Sequence, residues 1–171
     1  EIALGNWVEA QQWIDRVLHV TTAPTAHTRL YVLVNQGELW LRQGRVAEAQ
    51  HVLEELQPEF EQHDDRFAIL PLLQSLAYVY LEQNHVARAV ALAERAIALA
   101  QTATWAVDGC YKLSWVVKVL LRGGQLDLAR QHVERMIQSG QTMDTPISQA
   151  LRIDAQGLLA LYEQRFKDAD V

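Results

Sequence analysis

Leu39-Trp40-Leu41-Arg42-Gln43-Gly44-Arg45-Val46-Ala47-Glu48-Ala49 decides the fold. An apolar stripe runs into a glycine, and a second apolar-periodic stretch starts within two or three residues. Glycine adopts the left-handed conformation that closes a helix at almost no steric cost. The stretch therefore reads as a helix, a tight turn and a second helix running back. The same grammar recurs at Gly5-Asn6-Trp7, Gln83-Asn84-His85-Val86, Gly123-Gly124-Gln125-Leu126 and Gln164-Arg165-Phe166. Asn84 is the best non-glycine residue for a positive φ, whereas Gln164 predicts a looser turn. Five positions after each turn residue stands Ala10, Ala49, Ala89, Ala129 or Ala169, at spacings of 39, 40, 40 and 40 residues. Twelve positions before the last four alanines stand Gly37, Ala77, Val117 and Gly157. A fixed period of this size marks stacked structural repeats. Small residues recur where two helices cross closely, so the bulkier Val117 predicts a splayed fourth repeat.

Ala49, Val52, Leu53 and Leu56 share one helical face, as do Ala89, Leu92, Ala93 and Ala96, and Ala129, His132, Val133 and Met136,. The spacing predicts helices over 7–20, 26–42, 46–61, 66–82, 86–101, 105–122, 126–139 and 146–163, with another starting at 166. Pro24 and Pro146 fall in loops or first turns, where proline is harmless. Pro58 and Pro71 lie inside predicted helices and are expected to end or kink them. Asp64-Asp65 is a natural helix start. No strand-like alternation survives. The expected architecture is all-α: a right-handed superhelical solenoid of helix–turn–helix repeats with a period of about 40, forming a single domain over 1–171 with about four repeats. Both ends read as cut, which predicts a fragment of a longer protein.

The hydrophobic share of 50% suffices for a core, and the net charge is −6, with twelve Arg against three Lys. No basic block is present, which argues against direct nucleic-acid contact by this segment. No apolar run is long enough for a membrane span, and no signal peptide is visible. The lone Cys110 excludes an internal disulfide,. A soluble cytoplasmic protein is expected.

The turn pattern resembles a tetratricopeptide repeat, whose unit pairs a small residue in its first helix with a turn glycine, an apolar or aromatic residue two later and an alanine three after that. Those positions read Gly37, Gly44, Val46, Ala49; Ala77, Asn84, Val86, Ala89; Val117, Gly124, Leu126, Ala129; and Gly157, Gln164, Phe166, Ala169. The pattern covers essentially the whole chain. It departs from the family in a period near 40 in place of 34, and in lacking a proline at each unit's end. Units of about 40 are similar to the repeat domain of MalT-like bacterial regulators, in which such repeats lie between a nucleotide-binding switch and a LuxR-type DNA-binding domain. Leu41 through Leu56 and Ala89 through Ala100 carry this likeness. It implies a sensing or docking role in signal transduction and transcription regulation.

The tetratricopeptide resemblance implies that the first helix of each unit lines a concave groove. Counted back from the turns, the groove residues are Tyr31, Val34 and Glu38; Gln74 and Tyr78; Tyr111, Ser114 and Lys118; and Asp154, with Trp115 at the side. Aromatic rings beside Lys118, Glu38 and Asp154 suit a protein or peptide partner, or a small effector such as a sugar. Gap-filling between units is the stronger reading for Trp115, and Tyr78 and Tyr111 divide evenly between the two roles. A carboxylate clamp is not expected, because only Lys118 has the right charge.

His19, His27, His51, His63, His85 and His132 are widely scattered, so no metal site is expected, and solvent-facing or half-buried positions suit them. His63-Asp64-Asp65 reads as a loop with a capping aspartate. Gly123-Gly124 lacks the following Lys-Ser/Thr of a phosphate loop and reads as a helix stop. The polar stretch 138–146 reads as a slack connector. No nucleophile, base and orienting group form a set, so neither an enzyme nor a bound cofactor is expected. Two functions remain: a sensor domain that shifts an off/on equilibrium, and a scaffold that holds partner proteins without a small-molecule switch.

Overall fold

The computed structural model describes residues 5–20, 26–62, 66–101, 114–139 and 145–163. Every regular element among them is an α-helix: α1 (Trp7–Val20), α2 (Ala26–Arg42), α3 (Val46–Gln62), α4 (Arg66–Glu82), α5 (Val86–Gln101), α6 (Ser114–Arg122), α7 (Leu126–Ser139) and α8 (Pro146–Tyr162). Five predicted helices have the expected bounds, and α3 and α8 each differ by one residue at the C-terminal end. Positions 105–113 of the sixth predicted helix lie outside the described residues. So do Cys110, Tyr111, the His63-Asp64-Asp65 loop, most of the 138–146 connector, the Gln164 turn and Ala169.

The chain divides into two compact units, Glu1–Gln83 and Asn84–Val171. In the first, α2 packs against α1, α3 and α4, and α3 also packs against α4. In the second, α6 packs against α5, α7 and α8, and α7 also packs against α8.

The turns are built as the sequence predicts. Gly5, Gly44 and Gly124 have φ of +75°, +77° and +71°, and Asn84 has +60°. The Gly44 N–H donates to the Leu41 carbonyl at 3.0 Å and the Arg45 N–H to the Trp40 carbonyl at 2.8 Å. Gly124 and Gln125 repeat the pair, donating to Leu121 at 3.1 Å and Leu120 at 2.9 Å. This double hydrogen bond satisfies carbonyls that a helix end leaves open. The residue after the glycine also starts the next helix. The carbonyls of Asn6, Arg45, His85 and Gln125 accept the N–H of Ala10, Ala49, Ala89 and Ala129. One residue thus closes one helix and opens another, and that fixes the five-residue step from turn to alanine. A methyl on Gly44 would meet nothing within 4 Å, yet its φ is one that side chains disfavour. Gly44→Ala should therefore cost about 1–2 kcal/mol through backbone strain alone, read as a lower urea midpoint at unchanged m-value.

The cores follow the helical period. Ala49, Leu53, Leu56 and Phe60 form the buried stripe of α3. Ala10, Ile14 and Leu39 cluster between α1 and α2, with Leu18 and Val32 at the margin. Gln11 and Gln36 join the same two helices by reciprocal amide hydrogen bonds of 2.8 and 2.9 Å. The Gln36 side chain is only 5% exposed, so this pair satisfies polar groups that would otherwise be costly to bury. Val117 is fully buried, with α6 and α7 packed on each other.

One expectation is narrowed and one corrected. Of ending or kinking, ending does not occur at either proline: α3 continues past Pro58 to Gln62, and α4 past Pro71 to Glu82. Pro58 lies on the exposed side of α3 together with Glu54, where a carbonyl that loses its helical donor can turn to water. Pro71 falls near the start of α4, and burial of Leu72, Leu73 and Leu76 beyond it outweighs one missing hydrogen bond. His132 is neither solvent-facing nor half-buried but 3% exposed. Three residues after Ala129, the helical period carries it onto the core face whatever its polarity.

Candidate functional site

Between Ile69 and Leu81 nearly every side chain of α4 is buried, and Pro71, Gln74 and Tyr78 form a partly open row that Glu82 continues. Tyr80, also partly open, lies off that row and donates to Glu54 Oε1 of α3 at 2.9 Å. On α6, Trp115 through Leu121 are buried except Lys118, which forms an open row with Ser114 and Arg122. Steps of three and four residues keep each row on one helical face. The matching row on α2 is Tyr31, Asn35, Glu38 and Arg42, and on α8 it includes Leu151, Asp154 and Leu158.

Most of the predicted groove residues therefore lie on accessible faces of the first helices. In the first unit Tyr31, Glu38, Gln74 and Tyr78 sit on α2 and α4, which pack side by side. In the second, Ser114 and Lys118 sit on α6 and Asp154 on α8, again packed helices. Tyr111 lies outside the described residues. Val34 departs from the expectation: at 2% exposure it belongs to the core, because the open face of α2 passes through Asn35, one residue on. Trp115 is buried, in keeping with a gap-filling role. The sequence reading missed Asn35, Arg42, Glu82 and Arg122, and the signal was present. On α4 and α6, buried on nearly every side, polar residues three or four apart mark the open side, and on α2 Asn35 and Arg42 stand at those same steps from Tyr31 and Glu38.

The charges on these rows are solvated. Arg42 Nη2 lies 3.0 Å from Glu38 Oε1, one turn away, and exposed pairs of this kind contribute little stability. At the Gly44 turn, Arg45 stacks over Trp40 at 4.8 Å and donates to Glu48 Oε1 at 3.0 Å. That hydrogen bond, with one from Glu48's own backbone, holds the Glu48 carboxyl below its ordinary range. Its small stabilising effect is present above the ordinary carboxylate pKa and is lost as pH falls through the lowered value.

Among the described residues no group of three or more His, Cys, Asp and Glu side chains is placed to hold a metal ion. No helix among them is long and apolar enough to cross a membrane.

The family model described as tetratricopeptide repeat matches residues 30–55, the hairpin running from α2 across the Gly44 turn into α3. No curated protein and no solved structure matches the chain. With helices throughout the described residues and a positive φ at the turn residues Gly44, Asn84 and Gly124, the fold is that of a helical repeat, tetratricopeptide-like over residues 30–55.

Proposed function

We propose that the chain is a non-enzymatic binding segment that docks a protein or peptide partner on the open rows of its first helices. The observation that carries this reading is the exposure pattern of α4 and α6. Helices buried on nearly every side keep an accessible row, with Tyr80 alone among the described residues partly open beside it on α4, and the side chains of the row are suited to recognition. Gln74 offers an amide, Tyr78 a ring with a hydroxyl, Ser114 a hydroxyl, and Lys118 and Arg122 positive charge. The Tyr78 ring loses little freedom when a partner arrives, and tyrosine and arginine are over-represented among residues that dominate interface energies.

A thermal-shift screen against short peptides, sugars and nucleotides tests the proposal. A peptide at about 100 times its Kd adds roughly 2.7 kcal/mol, which raises the midpoint by about 5–10 °C for a chain of this size. Tyr78→Ala and Lys118→Ala should then weaken binding about tenfold or more with the helical circular dichroism signal unchanged. Parental affinity in both variants removes these rows as the site.

The 40-residue step between the turns at Gly44, Asn84 and Gly124 favours a second reading. In it the chain is the sensor repeat of a bacterial signal-transducing transcriptional regulator, with an effector such as a sugar in the same groove. A sugar or nucleotide hit without a peptide hit would support that reading. So would a nucleotide-binding switch before the chain and a helix-turn-helix after it in the full gene product.

A further inference from the structure

We propose that successive repeats are matched by a two-residue junction code: at three junctions the residue after the turn alanine reads the residue that directly follows the next repeat's first helix. Three junctions place these positions together, each with a sequence separation of 33, and each uses a different chemistry. Between α3 and α4, Gln83 Nε2 donates to Gln50 Oε1 at 2.6 Å. Gln50 Nε2 in turn donates to Glu54 Oε1 at 2.7 Å, so the contact belongs to an ordered amide–carboxylate chain. Between α5 and the end of α6, a Cβ built on Gly123 would stand 2.3 Å from Val90 Cγ2, so a methyl fills a notch that only glycine leaves open. Between α7 and the end of α8, Arg130 Nη2 lies 2.7 Å from a Glu163 oxygen, and Arg130 Nε donates to the same carboxylate at 3.1 Å.

The pairs are not interchangeable. The Glu163 side chain is only 9% exposed, and a valine in place of Arg130 would leave a desolvated carboxylate against a methyl. Any side chain at position 123 collides with Val90, whose branched Cβ leaves little rotamer freedom. A glutamine facing glycine loses the amide that Gln50 has in Gln83. In a repeat array, stability is largely a sum of units and nearest-neighbour interfaces, so one matched contact per interface sets how well neighbouring units fit each other. The first junction keeps the amide chemistry with a shifted partner. Gln11, the residue after Ala10, bonds to Gln36, about two turns before the end of α2. The code concerns the fit of neighbouring repeats and is independent of what the open rows bind.

Transplanting junctions within the full 171-residue chain tests the code. Val90→Gln with Gly123→Gln imports the amide pair, and Arg130→Val with Glu163→Gly imports the methyl-in-notch pair. Each of the four single substitutions should lower the thermal midpoint, Gly123→Gln most, by about 2–10 °C. Each double substitution should lie closer to the parent than the summed losses of its singles. Midpoint losses that add within error in both cycles overturn the proposal. If Gly123→Gln does not fold, recovery of the fold in Val90→Gln/Gly123→Gln supports the code, and the Arg130/Glu163 cycle decides by itself if the double also fails.

Discussion

Leu53→Ala is expected to lower the unfolding free energy by about 2–5 kcal/mol, the range for truncating a leucine that leaves a cavity. Leu53 is fully buried on α3, and its side chain occupies the space that a larger residue at position 37 would need. A Cβ on Gly37 would lie 2.6 Å from Leu53 Cγ and 2.7 Å from Cδ2. Gly37→Ala should therefore cost about 1–3 kcal/mol by overpacking. The two changes should not add, because the new methyl enters the space that the truncated leucine vacates. Neighbours in contact couple by about 0.5–3 kcal/mol, so the double variant should be more stable than the sum predicts. Urea midpoints of the four proteins in the cycle measure this. Strict additivity would mean that Leu53 is not what the glycine accommodates, and the close approach of α2 and α3 would need another cause.

Phe60→Ala should cost about 3–5 kcal/mol, the range for a fully buried aromatic ring. The result tests the helix beyond Pro58 as well as the ring. Phe60 is 2% exposed and falls four residues after Leu56, continuing the stripe that begins at Ala49. Only an unbroken helix through Pro58 brings it to the core. A loss below about 1 kcal/mol would show that α3 ends at the proline and that Phe60 contributes little to packing.

Much of the fold was legible because it is local. A turn glycine, the hydrogen bonds that close one helix, and the carbonyl that opens the next all lie within a span of ten residues, from Trp40 to Ala49. The apolar period of 3.6 is likewise read within a few turns. Asn84 shows how far such reasoning reaches, since its turn position in the repeat and its identity together predicted the positive φ it adopts. The candidate rows were legible in part. Counting back from the turns found Gln74, Tyr78, Ser114 and Lys118, but it put Val34 in the groove, because a shift of one residue rotates a side chain by about 100°.

The sequence by itself determined the helices, their turns and the repeat period, since these depend on hydrogen bonds and sterics between near neighbours in the chain. Only the tertiary structure decided what reaches across from another helix. Gly37 and Gly123 are notches filled by Leu53 and Val90, while a Cβ on Gly157 would meet nothing within 4 Å. Gly37 and Gly157 hold the same repeat position and look alike in the sequence, and Gly123 reads there only as part of a helix stop. Gln11 and Gln50 look like ordinary surface glutamines until Gln36 and Gln83 arrive opposite them. Pro58 survives inside α3 because burial of Phe60 outweighs a single lost hydrogen bond. Each of these outcomes depends on atoms 16 to 33 residues away or on the summed burial of a helix face, and no local pattern encodes either.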